Sequence, residues 1–293
     1  MNFLSYLLNG ISLGAVYALI ALGYTMVYGI AKMLNFAHGD VIMVGAYMVY
    51  IAMVDYHAPV WLSILIGMAV CTVLGVVIER VAYKPLREAS SLAVLITAIG
   101  VSYFLENLAL LVFGANPKSF TSVVNLSPIK LFHGQLTISA ETLVTIVVSL
   151  IIMAGLIVFI NYTKPGNAML AVSEDRNAAQ LMGININATI GLTFAIGSGL
   201  AAVAGVLLCS AYPTLTSQTG AMPGIKAFVA AVLGGIGSVP GAMVGGIMLG
   251  IIENCSKAYL SSQMSDAVVF FVLIVVLLVK PTGLMGRKIN EKV

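Results

Sequence analysis

The stretch Leu8-Asn9-Gly10-Ile11-Ser12-Leu13-Gly14-Ala15-Val16-Tyr17-Ala18-Leu19-Ile20-Ala21-Leu22-Gly23-Tyr24-Thr25-Met26-Val27-Tyr28-Gly29 decides the fold. It lies in a run, residues 3–30, without one Asp, Glu, Lys or Arg. At about 1.5 Å per residue such a helix crosses the ~30 Å hydrocarbon core of a bilayer. Met1-Asn2-Phe3-Leu4 brings neither a basic leader nor a small-residue cleavage site, so the run reads as a first span and not as a removed signal.

The rest of the 293 residues follows the same rule. The chain is 60% hydrophobic and 9% charged, with a mean hydropathy of +1.05. Soluble domains carry roughly 25% charged residues, so this surface must meet lipid. Further apolar runs fall near 38–54, 59–78, 91–113, 139–161, 187–211, 224–255 and 262–279. They are continuous, without the alternation of a barrel strand. The expectation is an all-α integral membrane protein, a single polytopic bundle of about eight transmembrane helices over 1–293. A net charge of +3 is too small to suggest nucleic acid. Cys71, Cys209 and Cys255 lie in or at the end of apolar runs, and no Cys or His spacing suggests a metal or another cofactor.

Lys and Arg orient the bundle. With the N-terminus outside, the inner loops hold Lys32, Arg80, Lys84, Arg87, Lys164, Arg176, Lys280, Arg287, Lys288 and Lys292, and the outer ones only Lys118, Lys130 and Lys257. The C-terminus is then cytoplasmic, and 114–138 forms the longest outer loop. This count requires 224–255 to cross and return. Gly234-Gly235-Ile236-Gly237-Ser238-Val239-Pro240-Gly241 supplies the break, since glycine permits any φ and proline lacks a donor. Ile225–Leu233 is too short to span, so a discontinuous helix pair inside the bundle is expected, with a second helix through Ile252 and Gly234 and Gly237 near a path. Small residues at helical spacing, Gly10, Gly14 and Ala18 and then Gly237, Gly241, Gly245, Gly246 and Gly250, favour close helix packing.

The loop 164–187 is the most informative soluble segment. Lys164-Pro165-Gly166 closes the preceding span. Ser173 is expected to cap a short helix with Glu174 and Asp175 in its first turn, Arg176 and Asn177 next, then Ala178, Ala179, Leu181 and Met182, and Gly183 as terminator. A short amphipathic helix with few basic residues suits the groove of a soluble partner better than a lipid surface.

Polar residues at membrane depth are costly and mark interior paths. Asn35, His38 and Asp40 interrupt the junction of the first two spans, where His38 and Asp40 either pair or cap the second helix. Glu106, beside Asn107, lies in the fourth span. Lys226 either meets a substrate carboxylate or snorkels to the outer surface, and Glu253 is expected at the interface. Glu79, Arg80, Lys84, Arg87 and Glu88 form a charged inner loop that anchors topology or touches a partner.

Asn177-Ala178-Ala179 followed by Gly183 resembles the Ala-Ala-x-x-x-Gly loop by which ABC importer permeases dock on their ATPases, with Asn177 where that family usually has Glu. Leu8–Gly29, Asn35-Phe36-Ala37-His38-Gly39-Asp40, Ile78–Arg87, Ala230–Ala242 and Pro281-Thr282-Gly283 resemble the LivH-type permeases of branched-chain amino-acid importers. The resemblance implies amino-acid import across the cell membrane. It also implies a second related permease, two cytoplasmic ATPases and an extracytoplasmic solute-binding protein as partners. The chain has no G-x-x-x-x-G-K-[ST] loop of its own, so it reads as a transport subunit and not an enzyme. Two other classes remain open. An ion-coupled secondary transporter would use Asp40 or Glu106. An intramembrane enzyme would need convergent groups that His38, His57 and His133 do not supply.

Overall fold

The computed structural model describes residues 2–124, 126–131 and 136–286. Met1, His133, Arg287, Lys288 and Lys292 lie outside the described residues, as does the side chain of Lys130. The helices are α1 (Asn2–Ala31), α2 (His38–Val54), α3 (Val60–Ile78), α4 (Ser91–Phe113), α5 (Ala140–Tyr162), α6 (Lys164–Glu174), α7 (Arg176–Leu181), α8 (Ile186–Ala211), α9 (Ala221–Gly234), α10 (Val239–Tyr259) and α11 (Ser262–Val279). Among the described residues seven helices are long and apolar enough to span, and α2 and α9 are shorter. Four short strands are added: β1 (Lys118–Ser119) pairs antiparallel with β4 (Thr214–Leu215), and β2 (Ile129–Leu131) with β3 (Leu136–Ile138). They turn part of the expected outer loop into ribbons at one end of the bundle.

The first span is the axis of the fold. Its most apolar window is 94% buried, against 11% for α11. α10 runs antiparallel along it, Gly10 and Gly14 meeting Ile251 and Ile247 at one end and Gly29 meeting Gly237 at the other. A Cβ on Gly14 would sit 2.7 Å from the Ile247 Cα, so the backbones touch. In lipid, where no hydrophobic force drives helices together, such close approach supplies the packing energy. The same device repeats elsewhere: Gly45 of α2 against Ala202 of α8, Gly75 of α3 against Ser198, and Gly197 against Gly23. Gly197-Ser198-Gly199 is thus a packing element.

Two helices begin inside the bundle. Residues 32–37 turn back from the end of α1, and α2 starts with His38 against Gly23, eight residues or about 12 Å before that end. α9 starts at the same depth, where a Cβ on Gly39 would lie 2.7 Å from the Gly220 carbonyl. The segment 224–255 is discontinuous as expected, with different bounds: α9 begins at Ala221 and α10 runs to Tyr259. The turn between them lies beside Gly29, near the end of α1, and it is the start of α9 that lies deep. Gly235 and Gly237 take φ of 108° and 92°, which only glycine adopts freely. Pro281-Thr282-Gly283 folds back on this turn. The Leu284 and Met285 amides donate to the Leu233 and Gly234 carbonyls at 2.9 Å, satisfying acceptors that the last turn of α9 leaves open.

Lys32, Arg87 and Arg176 gather where α1, α3 and α7 meet, forming a basic end opposite the β-ribbons. α3 reaches it through a π-turn (Glu79–Tyr83) that sets Glu79 inside the protein, ion-paired to Arg87, so Glu79 belongs to the core and not to an exposed loop.

Gly14→Leu should destabilise the protein by about 3 kcal/mol or more, because neither backbone can withdraw. Gly100→Ala and Gly155→Ala, where an added Cβ meets nothing within 4 Å, should be neutral or gain about 0.5–1 kcal/mol. Thermal unfolding of the three variants in detergent distinguishes these outcomes.

Candidate functional site

The segment 164–187 carries two helices, not one. Thr163 caps α6 by accepting from the Gly166 amide at 3.2 Å, and Pro165 occupies its first turn, where a missing donor costs nothing. Lys164-Pro165-Gly166 therefore opens a helix as well as closing the span. Met169 and Val172 bury α6 against the bundle. Ser173 is not a cap: its hydroxyl donates to the Leu170 carbonyl at 2.7 Å within α6. The cap of α7 is Asp175, whose Oδ1 accepts from the Asn177 and Ala178 amides at 2.8 and 3.0 Å. Two residues separate the expected and actual caps because a serine inside a helix bonds back to its own turn, while a carboxylate also complements the dipole.

α7 ends as the glycine dictates. The Ile184 amide donates to Ala179 and the Gly183 amide to Gln180, with Gly183 at φ +84°, a Schellman arrangement. Ala179 packs inward, whereas Leu181 is 89% and Met182 82% exposed. Arg176 ties the start of α7 to the end of α1 by donating to the Ala31 carbonyl. Burial and then the charge of Arg87 push the pKa of its guanidinium down. The result is a short helix with fixed ends and two unpartnered apolar side chains at the basic end.

The second site lies at membrane depth. Lys226 neither snorkels nor stands free. Its Nζ lies 2.8 Å from Glu253 Oε1 and 2.7 Å from Asp266 Oδ1, and its side chain is 8% exposed. Glu253 is buried and not interfacial. It accepts from the Tyr17 hydroxyl at 2.8 Å and from Lys257 at 2.6 Å. The four charges sum to zero, with Lys226 and Glu253 buried and Lys257 and Asp266 more exposed around them. Three of them, Lys226, Glu253 and Lys257, floor a cavity of about 320 Å³ walled by Leu13, Leu208, Met222, Thr216 and Thr219. Through Thr214, next to β1, this cavity lies toward the ribbon end.

The remaining polar positions divide. Asn35 accepts from the Tyr83 hydroxyl at 2.9 Å, tying the turn 32–37 to the π-turn. His38 and Asp40 neither pair nor cap α2, whose cap position is Ala37 without a side-chain bond. The His38 ring stands edge-on to Tyr24, 4.9 Å between centroids, and its Nε2 has no partner among the described residues. Asp40 faces Ser102 and Glu106 on α4. Gly234 is closed against Gly241, and Gly237 is at the basic end. Sequence reasoning missed Tyr17 and Asp266. Glu253 and Lys257, four residues apart on one helix face, were a legible signal, but the meeting of four helices was not.

The bundle, with seven helices long and apolar enough to span among the described residues, is that of a polytopic membrane protein, and the family it matches makes it a permease, a transport component. The chain belongs to the family described as branched-chain amino acid transport system, permease component, which matches residues 6–277. It is 46% identical to the high-affinity branched-chain amino acid transport system permease protein LivH of Escherichia coli K12, over the whole of this chain and 98% of that one. It is 44% identical to BraD of Pseudomonas aeruginosa with the same coverage. It is 29% identical to a probable LivH of Methanocaldococcus jannaschii, over 92% of this chain and 88% of that one. A chain of PsaBC from Streptococcus pneumoniae, solved with a Fab, superposes with a TM-score of 0.50 over 94% of this chain and 92% of that one at 13% identity, which shows the fold alone.

Lys226→Met should destabilise the protein by less than the ~3–5 kcal/mol of a fully orphaned buried charge, because Glu253 keeps Lys257 and Tyr17 and Asp266 is partly exposed. A Lys226→Met/Glu253→Leu double variant should cost less than Lys226→Met and Glu253→Leu added together. Asp175→Ala should remove about 1 kcal/mol from α7 without unfolding the bundle. Thermal melts of the purified protein measure the first two, and amide exchange at 176–182 the third.

Proposed function

We propose that this chain is the membrane permease of an ABC importer that carries branched-chain or similar hydrophobic amino acids across the cell membrane. It pairs with a second homologous permease. Two cytoplasmic ATPases drive the pair, and an extracytoplasmic solute-binding protein supplies it. The basic end faces the cytoplasm, in line with the excess of Lys and Arg in those loops, which places the C-terminus inside and the β-ribbons outside.

One observation carries this reading. α7 presents Leu181 and Met182 to solvent at the basic end while Asp175, Gly183 and Arg176 fix its ends. The bundle leaves this apolar pair uncovered, and the groove of a soluble partner would cover it. Residues 173–183 would pass motion of the ATPases to the bundle, with Ser173 and Glu174 at the joint between α6 and α7. The family match to full-length importer permeases supports the same assembly. The path would run past Lys226 in the outer cavity and past the deep starts of α2 and α9, where His38, Asp40 and Glu106 lie. Asn35, Gly234 and Gly237 would support it through the turns they form. A floor of both signs, Lys226 and Lys257 with Glu253, beside Leu13, Leu208 and Met222 would tolerate a zwitterion with an apolar side chain.

Leu181→Asp/Met182→Asp should leave the permease pair intact and abolish co-purification of the ATPases, with uptake falling at least about 30-fold, the scale of losing a hot spot of ~2 kcal/mol. Affinity capture of the tagged chain from native membranes, followed by uptake of labelled leucine in proteoliposomes, makes the test. Retained ATPases and undiminished uptake would remove α7 from the coupling role. Capture of the wild-type chain with no ATPase would overturn the importer reading.

A further inference from the structure

The basic end holds a second cavity, of about 330 Å³, between α1, the α3–α4 turn and α7. Its polar wall carries Lys32, Arg87 and Arg176, and its apolar wall includes Leu34, Leu86 and Leu95. The charges do not balance. Arg87 is neutralised by Glu79 and also bonds Asn187. Arg176 has a neutral carbonyl, that of Ala31, as its partner. Lys32 makes no ion pair among the described residues. Two positive charges therefore face a partly enclosed space with no ion-pair partner among the described residues. Lys32 is exposed and Arg176 half-buried, so water can solvate both, and together they leave the cavity attractive to an anion from outside.

We infer that this cavity binds the phosphate headgroup of an anionic phospholipid. Three features point to a lipid. The cavity lies at the end of the spans, where the headgroups of a surrounding bilayer lie. Basic pockets between helices on that side are the physical type of site that takes such headgroups. Its apolar wall continues on α4 into Leu92 and Ile96, 64% and 60% exposed, so acyl chains have an uninterrupted surface to follow into the hydrocarbon. About ten water volumes of space, at ~30 Å³ each, accommodate a phosphate with its glycerol. The bound phosphate bridges Lys32, just past the end of α1, to Arg176, the first residue of α7, and so ties α7 to the bundle. The binding rests on the cavity alone. Only its effect on transport rests on the importer reading.

The full chain in detergent, titrated with phosphatidylglycerol and followed by native mass spectrometry, tests this. Phosphatidylglycerol should bind and phosphatidylcholine should not. Lys32→Asn, a residue that tolerates the φ of +55° found there, should weaken binding about fivefold, and Lys32→Asn/Arg176→Gln about 25-fold. Arg80→Gln, exposed at the same end but outside the cavity, should bind as wild type with the same melting temperature. Equal phosphatidylglycerol binding by wild type and the double variant would overturn the proposal. So would full displacement of the lipid by millimolar inorganic phosphate, which would make the cavity a soluble-anion site. With binding confirmed, leucine uptake that rises with phosphatidylglycerol in wild type but not in Lys32→Asn would extend it to coupling. In the same assay, absence of uptake by the wild-type assembly in every lipid would count against the importer reading and leave the lipid site standing.

Discussion

The contact between α1 and α10 is the constraint on which the structure depends. In lipid there is no water to expel between helices, so stability comes from how many atoms touch. Gly10 and Gly14 on one side and Gly246 and Gly250 on the other let the two backbones meet, and every larger residue would hold them apart. With α10 seated on it, α1 is enclosed by α5, α8 and α9 and becomes the axis of the bundle. A helix that would be an ordinary first span by hydropathy is instead the core.

That central position creates the deep site. Because α1 is enclosed, its Tyr17 can reach Glu253 on α10, and Lys226 on α9 can reach both Glu253 and Asp266 on α11. Each charge alone would be too costly at this depth. Together they neutralise one another, and Lys226, Glu253 and Lys257 leave a polar floor under a cavity of mixed polar and apolar walls. The starts of α2 and α9 inside the bundle follow the same logic, since backbone that leaves a helix at membrane depth must be covered by protein. Gly39 and Gly220 cover each other, and Asn35 is held by Tyr83.

At the basic end the physics changes from packing to termini. The ends of α1, α7 and α9 leave carbonyls without partners, and three different groups answer them: Arg176 for α1, the Gly183 turn for α7, and the 281–286 tail for α9. Each of these caps also locates an element. Arg176 fixes where α7 begins, and the tail fixes the glycine turn before α10. Stability and the placement of α7 are therefore set by the same few bonds.

The sequence by itself determined that the chain lies in a membrane, where most spans run, that 224–255 is broken by glycine, and that a short helix ends at Gly183. These follow from local rules: hydropathy over twenty residues, the φ freedom of glycine, the missing donor of proline. It also carried the family, through stretches spread along nearly the whole chain. Local rules misplaced the helix cap at Ser173, because a serine and an aspartate two residues apart compete for one role and only the path of the backbone decides between them. They left Lys226 between a substrate and the lipid surface and put Glu253 at the interface, because hydropathy sees a single charge and not its partners. Only the tertiary structure brought Tyr17, Lys226, Glu253 and Asp266 from four helices to one point. Only it placed Lys32, Arg87 and Arg176 around one cavity. Both outcomes depend on which helices touch, and that is set by the close packing of small residues over long distances in the chain.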